Sequence, residues 1–190
     1  MKRLLFVTGR PSIGKTTVLL NAAEKLKARG YIVGGMISRE VRQNGSRVGF
    51  EIVDLKTTEK GWLAHINQPI GPQVGKYKVN QEDIDSVGVR AIQTALRDAD
   101  VVVIDEIGPM ELSSQSFRRA VIDAMSSSKL VMGVIHQSAR DPMIESIRNR
   151  DDILIETITF ENRDSLHNTL IQNALQYLQQ EKGGLRHSCS

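Results

Sequence analysis

Gly9-Arg10-Pro11-Ser12-Ile13-Gly14-Lys15-Thr16-Thr17 is the stretch that decides the fold. It reads G-x-x-x-x-G-K-T, the phosphate-binding loop pattern, and its context matters more than its letters. Before it stands Leu4-Leu5-Phe6-Val7, an apolar run that reads as a buried strand. After it, Val18, Leu19, Ala22, Ala23 and Leu26 mark one face of a helix from Lys15 that closes at Gly30. Strand, glycine-framed loop and helix are what phosphate capture needs. Loop N–H groups point inward, the helix N-terminus supplies positive dipole, and Lys15 adds a full charge.

The rest of the chain alternates in the same way. Tyr31 to Ser38 reads as a second strand interrupted at Gly34-Gly35, and Arg39 to Asp54 as a β-hairpin turning at Asn44-Gly45 and returning over Val48 to Val53. The segment around Gly61-Trp62-Leu63 reads as irregular, with Trp62 a packing residue, and Val74 to Val79 as a short strand. Asn80 is a helix N-cap with Glu82 and Asp83 in the first turn. Val101-Val102-Val103-Ile104 suits a parallel strand buried on both faces. Further elements are a helix over 114–127, a strand over 130–135, a short helix over 142–149, a strand over 153–160 and a last helix over 163–180. This order predicts an α/β fold of the three-layer P-loop type: a mostly parallel sheet, helices on both faces and a hairpin insertion. Residues 1–180 read as one domain and 181–190 as a polar tail.

The apolar run of Val101 to Ile104 ends in Asp105-Glu106. An acid at the C-terminal end of such a strand is the Walker B arrangement, and ligands of open α/β sheets sit at those strand ends. Asp105 is expected to hold Mg²⁺ with the Thr16 hydroxyl. Glu106, a second carboxylate, can orient a water toward a γ-phosphate, which is hydrolytic chemistry. The nucleotide-contacting set is therefore Gly9, Arg10, Pro11, Ser12, Ile13, Gly14, Lys15, Thr16 and Thr17, joined by Ile104, Asp105, Glu106, Ile107 and Gly108. Lys15 and Glu106 are the catalytic pair. Asp105-Glu106-Ile107-Gly108 also fits the D-x-x-G of GTP switches. The N-K-x-D base-reading segment is missing, since Asn149-Arg150-Asp151 and Asn162-Arg163-Asp164 lack the lysine. Candidate cations for the transferring phosphoryl group are Arg118, Arg119, Arg140, Arg148 and Arg150, with Arg148 and Arg150 preferred. Among the histidines, His136 is the one placed at the active edge of the sheet.

Composition narrows the partners. Residues 1–50 carry 10 Lys/Arg against 2 Asp/Glu, a balance of +8, whereas the whole chain is +3. This suggests a positive basin that gathers an anionic nucleotide. Aromatic residues are 4% of the chain with no aromatic–basic interleaving, which argues against nucleic acid. No apolar run reaches the roughly 18 residues a membrane span requires. One cysteine, Cys189, permits no intrachain disulfide, so a cytoplasmic monomer is expected.

The chain resembles the small P-loop nucleoside-triphosphatases of the THEP type, which include a cancer-related human relative. The resemblance rests on Gly9-Arg10-Pro11 through Thr17, Gly35-Met36-Ile37 to Arg39-Glu40, Gly49-Phe50, Gly75-Lys76-Tyr77, Thr159 to Arg163 and above all Ile104-Asp105-Glu106-Ile107-Gly108-Pro109-Met110-Glu111-Leu112. It implies a RecA-like core of the additional-strand, catalytic-glutamate class. It also implies slow Mg²⁺-dependent hydrolysis of ATP, GTP, CTP and UTP to the diphosphate and phosphate. Ser12 departs from the family, which usually has glycine there, and serine enters φ > 0 less readily. Two other readings fit a P-loop core: a small nucleotide or metabolite kinase, and a nucleotide-gated binding module using the Asn44-Gly45 hairpin or the Gly108 to Leu112 loop.

Overall fold

The computed structural model describes residues 2–187. Among them, nine strands form one sheet: β1 (Leu4–Thr8), β2 (Val33–Gln43), β3 (Ser46–Asp54), β4 (Lys60–His65), β5 (Gln73–Val74), β6 (Tyr77–Val79), β7 (Val101–Ile107), β8 (Leu130–Ile135) and β9 (Ile153–Thr157). Across the sheet they run β5-β6-β4-β3-β2-β7-β8-β1-β9. From β2 to β9 every pairing is parallel. The strands β3 to β6 extend the sheet antiparallel beyond β2.

Alternation along the parallel strands builds the two faces. Leu5, Val7, Val101, Val103, Met132 and Val134 pack with helices α1 (Lys15–Lys27) and α6 (Leu166–His187). Leu4, Phe6, Val102, Ile104, Val131 and Ile135 pack on the other face with α3 (Arg90–Asp98), α4 (Gln115–Ser126) and α5 (Pro142–Arg148). The three layers expected from the sequence are present. A π-helical turn, Ile84–Val89, joins the short α2 (Gln81–Asp83) to α3, and the Asn80 side chain caps this rod by accepting from Asp83 N at 3.2 Å.

One strand order matters most for the site. β8 lies between β1 and β7, pairing with both. The loop after β1 and the acids ending β7 therefore stand two inter-strand spacings apart, about 10 Å. That gap, open at the C-terminal edge of the sheet, has room for a phosphate chain.

Several boundaries differ from the sequence expectations, each for a local reason. The Gly34-Gly35 pair does not interrupt β2. Gly35 adopts φ 114, and a Cβ there would lie 2.1 Å from the Val103 carbonyl oxygen, so glycine lets β2 press against β7. Past Met36 the strand leaves β7 and pairs with β3, turning at Asn44 (φ 49) and Gly45 (φ 77). Both values are positive, as a tight hairpin turn needs. The segment at Trp62 is a strand, β4, paired with β3, with a register shift at Leu63 that matches the irregularity expected there, and Trp62 packs its ring on His65 at 4.5 Å. The final strand stops at Thr157 rather than Phe160, because Asn162 accepts from Thr159 N and donates to the Thr157 carbonyl, closing a turn. Helix α6 continues to His187, past the end expected at Gln180; Cys189 lies outside the described residues. Among the described residues, no helix is long and apolar enough to cross a membrane.

Candidate functional site

The loop after β1 is shaped by three positive φ angles: 153 at Gly9, 59 at Ser12 and 106 at Gly14. Gly14 is the N-cap of α1 and offers no side-chain cap, and the first turn holds no acid. The N–H groups that open α1 are thus left for an anion. Lys15 folds back over the loop, its Nζ donating to the Gly9 and Arg10 carbonyls at 3.1 Å each. Ser12 sits in the left-handed region that glycine enters freely, so the departure noted in the sequence falls on a position where the backbone does require φ > 0.

Across the gap, Asp105 is 1% exposed. Its carboxylate is hydrogen-bonded by the Thr16 hydroxyl, and Oδ2 accepts from Ser38 N at 3.4 Å. Burial pushes its pKa up to about 7, with the Thr16 hydrogen bond opposing. The following peptide bond, Asp105–Glu106, is cis. Glu106 is half-buried, and burial raises its pKa while the charges of Lys15 and His136 pull the other way.

A third carboxylate completes the cluster. Glu111 begins the 3₁₀ turn Glu111–Ser113 and is buried, accepting from its own N–H and that of Gly108. Burial first, then the neighbouring Glu106, pushes its pKa up to about 8, so it is mainly protonated at neutral pH. A Cβ built on Gly108 would lie 3.2 Å from Glu111 Oε2 and 3.5 Å from Glu106 Oε1, so the two acids converge on that glycine. Sequence reasoning gave Glu111 no role of its own. The one signal was a charge set between apolar Met110 and Leu112.

These groups open into a cavity of about 490 Å³. Its inner wall includes Gly9, Pro11, Ser12, Gly14, Lys15 and Thr16, facing Glu106, Gly108, Glu111 and His136. His136 Nδ1 accepts from Ser138 N and Ala139 N. Ser38, Glu40, Arg47, Phe50, Leu63, Val74 and Met110 form the outer wall.

The arginines are arranged otherwise than the sequence suggested. Arg150 is locked on Asp152, which also holds Arg3, at the edge where β1 and β9 begin; this is the edge opposite the cavity. Arg118 chelates Asp141 with two hydrogen bonds, and it lines, with Arg140, a separate cavity of about 280 Å³. Arg119 is exposed on α4. Arg148 reaches the neighbourhood, but its guanidinium donates to the His136 and Gln137 carbonyls at 2.9 and 2.8 Å and so braces that loop. Among the described arginines, Arg47 is the one in the cavity wall. The basic residues of the first fifty are divided: Arg10 and Lys15 stay with the phosphate loop, and others lie elsewhere. Lys2 and Arg3 sit at the opposite edge, Lys25 and Lys27 lie in the last turn of α1, and Arg42 and Arg47 pair with Glu40. The chain segment is basic, but its folding sends those charges to different places.

Hard oxygen donors meet where a divalent cation is expected. The Thr16 hydroxyl and the Asp105 carboxylate are already in contact, beside the unfilled N–H groups of the loop. This donor set suits Mg²⁺, which prefers a carboxylate, a hydroxyl, phosphate oxygens and retained waters to a nitrogen or sulfur cage.

Comparison with known proteins adds to this geometry. A family model described as NTPase matches residues 4–171. The nucleoside-triphosphatase THEP1 of Thermofilum pendens is 50% identical over 161 residues, covering 84% of this chain and 88% of that one. The crystal structure of THEP1 from the hyperthermophile Aquifex aeolicus superposes with a TM-score of 0.81 at 28% identity, covering 90% of this chain and 98% of that one. The solution structure of a human cancer-related nucleoside triphosphatase gives 0.77 at 35% identity, with coverage of 92% and 98%.

Proposed function

The chain belongs to this nucleoside-triphosphatase family and is a hydrolase acting on nucleoside triphosphates; from that premise we propose that a water positioned by Glu106 attacks the γ-phosphorus of a triphosphate held by residues 9–17. The observation that carries this reading is that Lys15 and Glu106 face each other across one cavity, with Asp105 and Thr16 in contact beside them. The loop amides and Lys15 would bind the β- and γ-phosphates, Lys15 leaving the Gly9 and Arg10 carbonyls to do so. Thr16 and Asp105 would hold Mg²⁺, which when bound offsets charge on the phosphate oxygens. Glu106 takes the proton of the attacking water, the bond to the β–γ bridging oxygen breaks, and the diphosphate and phosphate leave. Lys15 and His136 favour the ionised Glu106 that this step needs. Arg47, the one arginine among the described residues that lines the cavity, is tied to Glu40 and Tyr77, so no free guanidinium in the cavity wall meets the developing charge, and turnover on water should be slow.

Breadth of substrate fits a base that is stacked rather than read. The turn after β9 stands against the phosphate loop: a Cβ on Gly9 would lie 3.0 Å from the Ile158 carbonyl oxygen. That turn carries Phe160, 67% exposed, with the Arg163 guanidinium 5.4 Å from its ring centre. An aromatic face accepts any base. A cytoplasmic location belongs to the same reading and rests on the single cysteine.

Glu106→Gln tests the central claim. It should bind nucleotide with Mg²⁺ and release phosphate about 10²- to 10⁴-fold more slowly. Near-normal phosphate release from that variant would remove Glu106 from the mechanism.

A further inference from the structure

Three adjacent strand ends border the cavity, and the middle one carries a side chain whose hydrogen bond is not yet spent. β8 lies between β1, which feeds the loop of residues 9–17, and β7, which carries the acids. His136 is the first residue after β8, so it stands in the gap between loop and acids. It lines the same cavity as Lys15 and Glu106. Its Cβ and Glu106 Oε1 each lie 3.5 Å from where a Cβ on Gly108 would stand, so the histidine and the carboxylate flank one glycine.

The surroundings of His136 leave one donor open. A phosphate chain is repelled by carbonyl oxygens and favoured by N–H groups. The carbonyls at this strand end are already covered. That of Ile135 accepts from the Thr8 hydroxyl at 2.9 Å, and those of His136 and Gln137 accept from Arg148 at 2.9 and 2.8 Å. The His136 backbone N–H is engaged with the Ile107 carbonyl at 3.1 Å. On the ring, Nδ1 accepts from Ser138 N at 3.3 Å and from Ala139 N at 3.0 Å. Nδ1 therefore supplies its lone pair, and the ring's N–H is on Nε2. Nε2 has no hydrogen-bond partner among the described residues and is not sealed from solvent. Two backbone donors fix the ring and Arg148 fixes the loop, so this N–H is held in place before a nucleotide arrives. Lys15 serves the loop side of a γ-phosphate, while Arg47 is held by Glu40 and Tyr77. The donor on the other side falls to His136.

We propose that His136 is a further catalytic residue: its Nε2–H points into the cavity and donates to a γ-phosphoryl oxygen of the bound triphosphate. The proposal rests on the reading above, in which the triphosphate lies on residues 9–17 with its γ-phosphate toward Glu106. The hydrogen bond strengthens as charge gathers on the phosphoryl oxygens, so it acts on kcat more than on KM. Glu106 takes the proton of the water, and Nε2 keeps its own. A diphosphate has no γ-phosphoryl group, so His136 also distinguishes substrate from product.

The test compares His136→Ala, His136→Asn and His136→Gln in the full chain with Mg²⁺. Asparagine places its amide oxygen near the position of Nδ1 and can keep the Ser138 and Ala139 N–H bonds. Glutamine places its amide N–H near the position of Nε2. Phosphate release gives kcat, and calorimetric titration gives affinity for ADP and for a non-hydrolysable ATP analogue. His136→Ala and His136→Asn should lose about 10²- to 10³-fold in kcat, His136→Gln should recover about tenfold or more of that loss, and ADP affinity should stay within about twofold of the wild type in all three. A near-normal kcat in His136→Asn overturns the proposal, because bracing the loop is then the ring's whole task. A kcat in His136→Gln no higher than in His136→Asn also overturns it. So does an ADP affinity that falls by as much as kcat, because the ring then shapes the site for both nucleotides. None of these results touches the hydrolytic reading, which falls instead if Lys15→Ala leaves nucleotide affinity unchanged or Glu106→Gln releases phosphate at the normal rate.

Discussion

Replacing Glu111 by glutamine should flatten the dependence of stability on pH. Burial, reinforced by Glu106, moves this carboxyl from 4.5 in the unfolded chain to about 8 in the folded protein. Between those values the folded state holds a proton that the unfolded state has lost. Stability therefore falls as pH rises through this window, since the unfolded state binds fewer protons. The contribution is complete below 4.5 and gone above about 8. Taking the ratio of the two titration curves, Glu111 alone removes about 3 kcal/mol between roughly pH 6 and pH 9. In a chain of this size that is a Tm drop of about 6–12 °C. Glutamine has nearly the same shape and keeps an oxygen to accept from the Gly108 and Glu111 N–H groups, but it cannot ionise. Denaturant unfolding of the nucleotide-free protein at both pH values, monitored by far-UV circular dichroism, measures the difference. Asp105 and Glu106 titrate in both proteins, so the difference between the profiles reports Glu111 together with its coupling to those two acids. Parallel stability profiles for the two proteins would refute the assignment of a buried, mainly protonated acid at this position.

Ser12→Gly should stabilise the protein. Relief of a left-handed serine is worth about 1–2 kcal/mol, less about 0.5–1 kcal/mol for the freer unfolded chain, so Tm should rise by a few degrees in calorimetry. A fall in Tm would show that Ser12 is not strained. Mg²⁺ affinity with nucleotide bound should increase as pH rises through about 7, where Asp105 loses its proton. Calorimetric titrations in buffers of different ionisation enthalpy should then register proton release, and identical heats would contradict it. Phe160→Ala should raise the KM for ATP, GTP, CTP and UTP alike, by about tenfold or more, in steady-state phosphate-release assays. An effect confined to one base would mean that the turn reads sequence rather than stacking.

What was legible in the chain was mostly local. The glycines at 9 and 14 and the Asn44-Gly45 turn each announce a backbone state that few other residues adopt, the Asn80 cap announces a side-chain hydrogen bond to a helix N–H, and all of them hold in the structure. Asp105 and Glu106 were legible because acids after four buried aliphatics mark the C-terminal part of a buried strand, which here runs on to Ile107. The strand at Trp62 was missed because β4 owes its pairing to β3, a partner that local pattern does not reveal, while the irregularity expected there is present as a register shift at Leu63. Glu111 and Arg47 escaped for a related reason. Each reaches the cavity through a distant contact, Glu111 through Gly108 and Glu106, and Arg47 through Glu40, Phe50 and Tyr77.

Arg150 is the instructive error, since sequence proximity to the active edge suggested it and topology excludes it. Every parallel strand of this sheet must start at the edge opposite the site, so each helical connection carries the chain back there before the next strand begins. β8 ends beside the cavity, α5 makes the return, and β9 begins at Ile153. A residue three positions before that start must lie near the far edge, where Arg150 and Arg3 both bind Asp152. Arg148, two residues earlier at the end of α5, still extends its guanidinium to the His136 and Gln137 carbonyls. The antiparallel β2–β3 hairpin obeys a different rule. Its return strand begins beyond the active edge and runs back past it, so residues early in β3 are carried over the cavity. The place to look for a cation in the cavity wall was therefore the hairpin, where Arg47 stands, and not the segment that follows α5.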